Sequence, residues 1–442
     1  MKHIAKGEER KTIRNLQGIN LGLAIVFALA AGFAPLAQAQ TLTVLHTFTG
    51  IGEDGANPRV GVTMDKAGNL YGTTQYGGTG PCNSQFTQGC GTVFRLTPKG
   101  SNWTYAPLYS FAGWPNNDGA YPLSRVIIGA DASLYGTASE GGDATACFGL
   151  PGCGIVFNLK PPPTRPSTVF SPWTEAILYR FQGPFDGAFP GGELSFDAAG
   201  NLYGTTDAGG SYGTSYGGTI YRLTPSYPSW SHNILYSFQQ AEPFSGVNFD
   251  ASGNLYGSTI IGGYNDSGSV FQLAHSQSGW TLNTLYEFSG DDGYSLYAGI
   301  IFDAAGNAYG ATLNSQPNGD ALIFELTPSG GGWSFNIIYR IPTQFGGGPA
   351  AQLLMDAAGN LYGTTRGAGY GSQYPNGTVF KLTPSSNGWT FTVLHEFTGG
   401  ADGAHPYSNL IFDSQGNLYG TASAGGSANC SGGCGVVFKI TP

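Results

Sequence analysis

Charge is the scarcest property of this sequence. Asp, Glu, Lys and Arg together make 10% of 442 residues, against an ordinary ~25%. What charge there is runs acidic, with 27 carboxylates against 18 bases and a net of −9. That excludes a nucleic-acid partner, because phosphate contacts need a basic surface. Beyond residue 40 no apolar run is long enough to anchor in a bilayer, so no membrane span is expected in the mature chain. The histidines contain no H-E-x-x-H pair, and no metal or other cofactor is expected. The 72 glycines follow no three-residue rule, which excludes collagen. In such number they also argue against helices, since each interior Gly costs a helix roughly 0.8–1 kcal/mol relative to Ala. What is present is aromatic: 27 Phe, 25 Tyr and 7 Trp can fill a large core, which excludes disorder.

The first 39 residues read as an address. Lys2, Lys6, Arg10, Lys11 and Arg14 outweigh Glu8 and Glu9, an apolar run follows from Leu21 to Phe33, and Ala37-Gln38-Ala39 precedes Gln40. A basic region, a short apolar core and an A-x-A site make a secretory signal peptide over 1–39. The apolar core falls short of the ~20 residues that cross a bilayer. Its removal leaves 13 basic and 25 acidic side chains. The mature protein, residues 40–442, is expected in the periplasm or outside the cell.

A heptapeptide then organises the rest. Gly68-Asn-Leu-Tyr-Gly-Thr-Thr74 recurs unchanged at 200–206 and 359–365, with small changes at 253–259, 306–312 and 416–422, and in the degenerate form Ala132-Ser-Leu-Tyr-Gly-Thr-Ala138. The tyrosines of the seven copies are Tyr71, Tyr135, Tyr203, Tyr256, Tyr309, Tyr362 and Tyr419. Their spacings are 64, 68, 53, 53, 53 and 57 residues. Each unit carries four strand-like pieces. An apolar run leads through the turn Asp-x-x-Gly-Asn to Leu-Tyr-Gly-Thr-Thr; a glycine-rich loop leads to a third piece such as Gly91-Thr-Val-Phe94; the fourth often opens on Trp, as in Trp389 to Phe397. Asp in the turn bonds its own backbone and Gly takes positive φ.

The seventh unit has no fourth piece at its end. The mature N-terminus supplies one, because Leu42-Thr-Val-Leu-His-Thr-Phe48 matches Phe391-Thr-Val-Leu-His-Glu-Phe397 nearly residue for residue. A fourth strand at the opposite end of the chain fits closure of a ring, which leaves no sheet edge unpaired. The expected fold is all-β, a seven-bladed β-propeller with four antiparallel strands per blade, closed by the N-terminal strand. An open β-solenoid gives no reason for the terminal match.

The Gly-Asn-Leu-Tyr-Gly-Thr-Thr … Gly-Thr-Val-Phe-x-Leu-Thr-Pro unit resembles the GloVer (Gloeobacter/Verrucomicrobia) repeat family of bacterial exported tandem-repeat proteins, over residues 41–442. The resemblance implies export and a repeat architecture. It implies no catalytic residue. Anchored members carry further segments, whereas this chain ends on its last repeat, which points to a freely secreted form.

Six cysteines sit in equivalent loops of units one, two and seven, so the pairing expected is Cys82–Cys90, Cys147–Cys153 and Cys430–Cys434. Disulfides persist in an oxidising compartment, and the three spacings lack the matched knuckles of zinc sites. Closure makes these units adjacent, and three stapled loops would raise one sector of the upper face.

Candidate binding residues come from two patterns. Five units place an Asp-Gly step in the loop before the first strand: Asp54, Asp118, Asp186, Asp292 and Asp402. These form either a ring of carboxylates at the channel mouth or a repeated turn. Four residues before the turn, the units carry Gly61, Arg125, Glu193, Gly246, Gly299, Gln352 and Asn409. Arg125 and Glu193 are the two charges in that row, and they either pair or face a ligand. Trp114, outside the repeat pattern, is an aromatic able to stack on a sugar. The nominated site is Trp114, Asp118, Arg125, Asp186, Glu193 and Asp402. The run Gly209 to Gly213 lacks the strand–turn–helix setting of a nucleophile elbow, so no catalytic residue is assigned. The function expected is a secreted module that binds a glycan or an extracellular protein on its loop-rich face. An extracellular glycosidase or lyase using channel-mouth carboxylates, and a structural envelope repeat, are the alternatives.

Overall fold

A computed structural model describes residues 40–442 apart from 85–86, 115, 143–146, 150–151, 163–171, 214, 227–228, 278, 368–371 and 442. The expected leader, 1–39, lies outside the described residues.

Seven four-stranded antiparallel sheets follow one another along the chain. Blade 1 is Thr63–Met64, Leu70–Thr74, Thr92–Lys99 and Asn102–Ser110, from the inside outward. The next five repeat the order, as in blade 6 with Leu354–Met355, Leu361–Thr365, Thr378–Ser385 and Gly388–Glu396. Blade 7 takes its outer strand from the other end of the chain: Thr41–Thr47 pairs with Val436–Thr441, Leu42 opposite Ile440 and Thr47 opposite Val436. The pairing skips Leu45, just as the outer strands of blades 1 and 6 skip Leu108 and Leu394. A bulge at one shared position adds the same local twist to each. The N-terminal strand is thus an outer strand in register and irregularity alike, and the ring is a closed seven-bladed β-propeller.

The motif residues explain the blades. Asp65 accepts hydrogen bonds from the backbone of Ala67 and Asn69, from Asn69 Nδ2 at 2.7 Å and from the Tyr71 hydroxyl at 3.1 Å. One carboxylate therefore binds the turn to the strand it launches. Burial by itself would raise the Asp65 pKa, and the donated bonds outweigh it and hold it below the usual range. The glycine in Leu-Tyr-Gly-Thr is there for approach: a Cβ on Gly72 would stand 2.6 Å from the Phe94 ring. That ring and its equivalents Phe157, Tyr221, Phe271, Phe324, Phe380 and Phe438 are fully buried.

Blades join through aromatics. The outer-strand Phe48, Phe111 and Phe397 meet the third-strand rings of the next blade, Phe94, Phe157 and Phe438, at centroid distances of 5.1, 5.1 and 5.3 Å. Trp173, Trp230 and Trp280 pack edge-on against Tyr71, Tyr135 and Tyr203 of the preceding blade, and Trp103 does so against Tyr419, which joins blade 1 to blade 7. Such edge-to-face pairs add about 0.5–1.5 kcal/mol beyond their area. Inner strands are two residues long, shorter than the apolar runs suggest, and in blades 1, 3 and 4 a side chain of the strand bonds the next blade. Thr63, Ser195 and Asn248 donate to the carbonyls of Val126, Val247 and Ile300. Among the described residues no helix is long and apolar enough to cross a membrane.

Candidate functional site

The Asp-Gly steps sit in the loops leading into each inner strand, and each carboxylate is occupied within its own loop. Asp118 accepts from Tyr109 Oη at 3.0 Å and from the backbone of Ala112 and Gly119. Asp186 accepts from Tyr179 Oη at 2.8 Å and from Gln182 N. Asp402 lies 3.1 Å from His395 Nε2 and accepts from Thr398 N, and Asp54 repeats this with His46 and Thr49. The carboxylates tie the outer strand of one blade to the loop that starts the next. None of them lines the axial cavity. Asp118, Asp186 and Asp402 are therefore not brought together with Arg125 and Glu193, because turn bonding holds each beside its own outer strand.

The second pattern does converge. Arg125 Nη2 donates to Glu193 Oε2 at 2.9 Å. Asn409 Nδ2 donates to Glu193 Oε1 at 2.6 Å, which carries a bond from blade 7 to blade 3 across the axis. Asn409 Oδ1 accepts from Gln352 N at 2.8 Å, and Gln352 Nε2 donates to Ile300 O at 3.0 Å. Glycine fills other places in the row because the blades approach there: a Cβ on Gly61 would lie 2.4 Å from Asn409 O. The four polar side chains form a cross-linked floor.

Two residues earlier in every unit, one step nearer the upper face, stand Arg59, Leu123, Gly191, Phe244, Tyr297, Ala350 and Tyr407. All of them but Gly191 line a cavity of about 150 Å³, to which Arg366 contributes from the loop after the second strand of blade 6. Below it a space of about 100 Å³ shares most of these walls and reaches Glu193, Gln352 and Asn409. Phe244 and Tyr297 meet edge to face at 5.6 Å. The Arg59 guanidinium lies 4.8 Å above the Tyr407 ring. His405 Nδ1 is 2.8 Å from the Arg366 carbonyl, holding that residue beside Tyr407. Behind Gly191, outside the cavity lining, is Asp207, whose Oδ2 would lie 3.4 Å from a Cβ on that glycine. Its Oδ1 is buried without a hydrogen-bond partner. Burial pushes its carboxyl well above the usual range, and Glu242 adds to the shift.

The mouth residues were missed from sequence because all but Tyr297 follow a proline in a variable loop and read as turn filler. Aligning the units on the channel position and stepping back two would have exposed three aromatics and an arginine in one row. Trp114 is 52% exposed in the leading loop of blade 2 and does not line the axial cavity. The three disulfides form as paired by spacing. Each lies against the next blade's leading loop: a Cβ on Gly50 would stand 2.8 Å from Cys430 Sγ, one on Gly113 2.8 Å from Cys82 Sγ, and one on Gly183 2.9 Å from Cys153 Sγ. They brace the joints from blade 7 through to blade 3, including the closure.

A family description, the Gloeobacter/Verrucomicrobia repeat, matches the chain over residues 32–248, 80–312 and 242–442. No curated protein matches it. Among solved structures, a candidate 6-phosphogluconolactonase from Bacteroides uniformis is similar at 14% identity and a TM-score of 0.49, over 81% of this chain and 96% of that one. A second, from Bacteroides fragilis, is 14% identical with a TM-score of 0.43 over 88% and 89%. A protein from Lactobacillus plantarum is 15% identical with a TM-score of 0.45 over 79% and 95%. Likeness at this level carries no activity to the present chain.

Proposed function

The chain belongs to the Gloeobacter/Verrucomicrobia repeat family, and from that premise we propose that it is an exported binding module that seats the end of a glycan in its axial cavity. The observation that carries this reading is the cavity itself. Its walls are aromatic at Phe244, Tyr297 and Tyr407, and its base is the polar network of Glu193, Gln352 and Asn409. Apolar faces with a few convergent polar groups are what a sugar ring requires. The volume lies below the ~300–1,000 Å³ of sites for drug-sized ligands, which favours an end group over a chain lying across the face. Three disulfides fit an oxidising compartment, and the leader at 1–39 accounts for how the chain reaches it. The test is a glycan array probed with the mature protein and with Phe244→Ala and Tyr297→Ala. Binding should fall at least tenfold in each; binding unchanged in both removes the cavity from the proposal.

One observation favours a second reading, acid–base chemistry on the bound sugar. The Asp207 carboxyl stands behind Gly191 of the cavity wall, its Oδ2 3.4 Å from where a Cβ on that glycine would lie, and burial and Glu242 raise it, as a general acid requires. Turnover of plant or microbial polysaccharides that disappears in Asp207→Asn would establish it.

A further inference from the structure

Arg59 and Arg366 share the wall of the upper cavity. They come from different blades and from different loops within the blade. Acidic side chains outnumber basic ones 27 to 18 in this protein, yet neither guanidinium has a carboxylate partner among the described residues. Tyr407 shares that wall. Arg59 lies over its ring, and the Arg366 backbone is tied through its carbonyl to His405, two residues before Tyr407. A guanidinium lying over an aromatic face keeps its N–H edge available for a planar, two-oxygen acceptor. Across the mouth stand Phe244 and Tyr297, joined edge to face.

We infer that the channel mouth reads a carboxylate-bearing sugar, a uronic-acid residue at the end of a glycan. Arg59 and Arg366 grip the carboxylate and the Phe244–Tyr297 wall takes the ring. The inference rests on the glycan-binding reading above and adds the charge of the ligand.

The local acids do not cancel this preference. Glu193 in the floor is already occupied by Arg125 and Asn409. Asp207, behind Gly191, is shifted by burial toward its neutral form. The wall is also a poor fit for an acidic peptide. Strand addition needs a free sheet edge, and the inner strands direct Thr63, Ser195 and Asn248 onto neighbouring carbonyls instead.

The experiment is calorimetric titration of the mature protein with trigalacturonate and with neutral galactotriose, at low and at high salt. Trigalacturonate should bind at least tenfold more tightly, and the margin should shrink as salt rises. Arg59→Gln and Arg366→Gln should each weaken it about 10- to 100-fold, the size expected for a charged hydrogen-bonded contact, while leaving the neutral sugar unchanged. Arg59→Lys should fall between, since it keeps the charge and loses the fork. Melting temperatures and near-ultraviolet circular dichroism of the variants separate binding loss from misfolding. Equal binding of both sugars, with silent arginine variants and loss in Tyr297→Ala, overturns the charge preference and leaves the glycan module standing. Binding of neither sugar, or tighter binding of an acidic peptide, overturns the inference. Sugar binding indifferent to both Phe244→Ala and Tyr297→Ala overturns it together with the reading beneath it.

Discussion

Glu175 breaks the repeat in the outer strand of blade 2, and its replacement by glutamine tests how the blades are joined. In blades 1, 3, 5 and 6 this position carries a ring stacked on the preceding blade's outer-strand aromatic, and in blades 4 and 7 it carries Leu282 and Leu42. Tyr105 lies 4.1 Å from His46, His232 4.3 Å from Tyr179 and Phe335 4.2 Å from Tyr286. In blade 2 the partner of Tyr109 and Asp118 is instead a carboxyl whose Oε1 is buried without a hydrogen-bond partner. Burial first, and the nearby Asp118 carboxylate second, push Glu175 up to about 8. Burial raises Asp118 as well, so the two share a proton and titrate as a pair.

Because the folded pKa lies above the unfolded one, the associated stability is fully present below about pH 4.5. It is lost as pH rises toward about 8. At 1.36 kcal/mol per pH unit that interval sets a ceiling of roughly 5 kcal/mol. Sharing with Asp118 brings the expected loss to about 2–3 kcal/mol. For about 400 residues at ~2.1 cal/mol/K each, the difference is about 3 °C in melting temperature. Glu175→Gln keeps a donor toward Asp118 and cannot ionise. Calorimetric scans should show both proteins melting together at pH 4.5 and the variant melting about 3 °C higher at pH 9. A wild-type melting temperature that falls no more steeply with pH than the variant's would refute the shared-proton account.

Three further outcomes follow from the same comparison between units. Ala132 stands at φ 61° where the other six turns have glycine near +80°; Ala132→Gly should stabilise by about 1 kcal/mol in urea unfolding. Tyr221 occupies a third-strand place held elsewhere by Phe and buries its hydroxyl without a partner, so Tyr221→Phe should gain about 1–2 kcal/mol by the same measurement. Arg125→Ala should cost about 1–2 kcal/mol by leaving Glu193 short of a donor. Most of that should return in Arg125→Ala with Glu193→Gln, read as a double-mutant cycle.

The sequence by itself determined the architecture of this protein. Seven copies of the Leu-Tyr-Gly-Thr motif and its variants, six of them with a turn Asp and the second with Gly129 in its place, specify strands and hairpins through bonds that span six residues or fewer, as Asp65 to Tyr71 does. Even closure was legible, because Leu42–Phe48 repeats the pattern of Phe391–Phe397 and an outer strand must pair somewhere. The disulfides followed from their place in the repeat. Pocket formation was decided by the tertiary structure. The conspicuous Asp-Gly carboxylates were repeated because every blade needs the same turn, whereas a site arises where blades differ. Glu193 and Asn409 stand 216 positions apart and meet because the ring folds both toward one axis. Arg59, Phe244, Tyr297 and Tyr407 look like unrelated loop residues until seven inner strands converge on that axis. Local bonds repeat with the sequence and can be read from it, while convergence depends on how every blade is oriented about the centre.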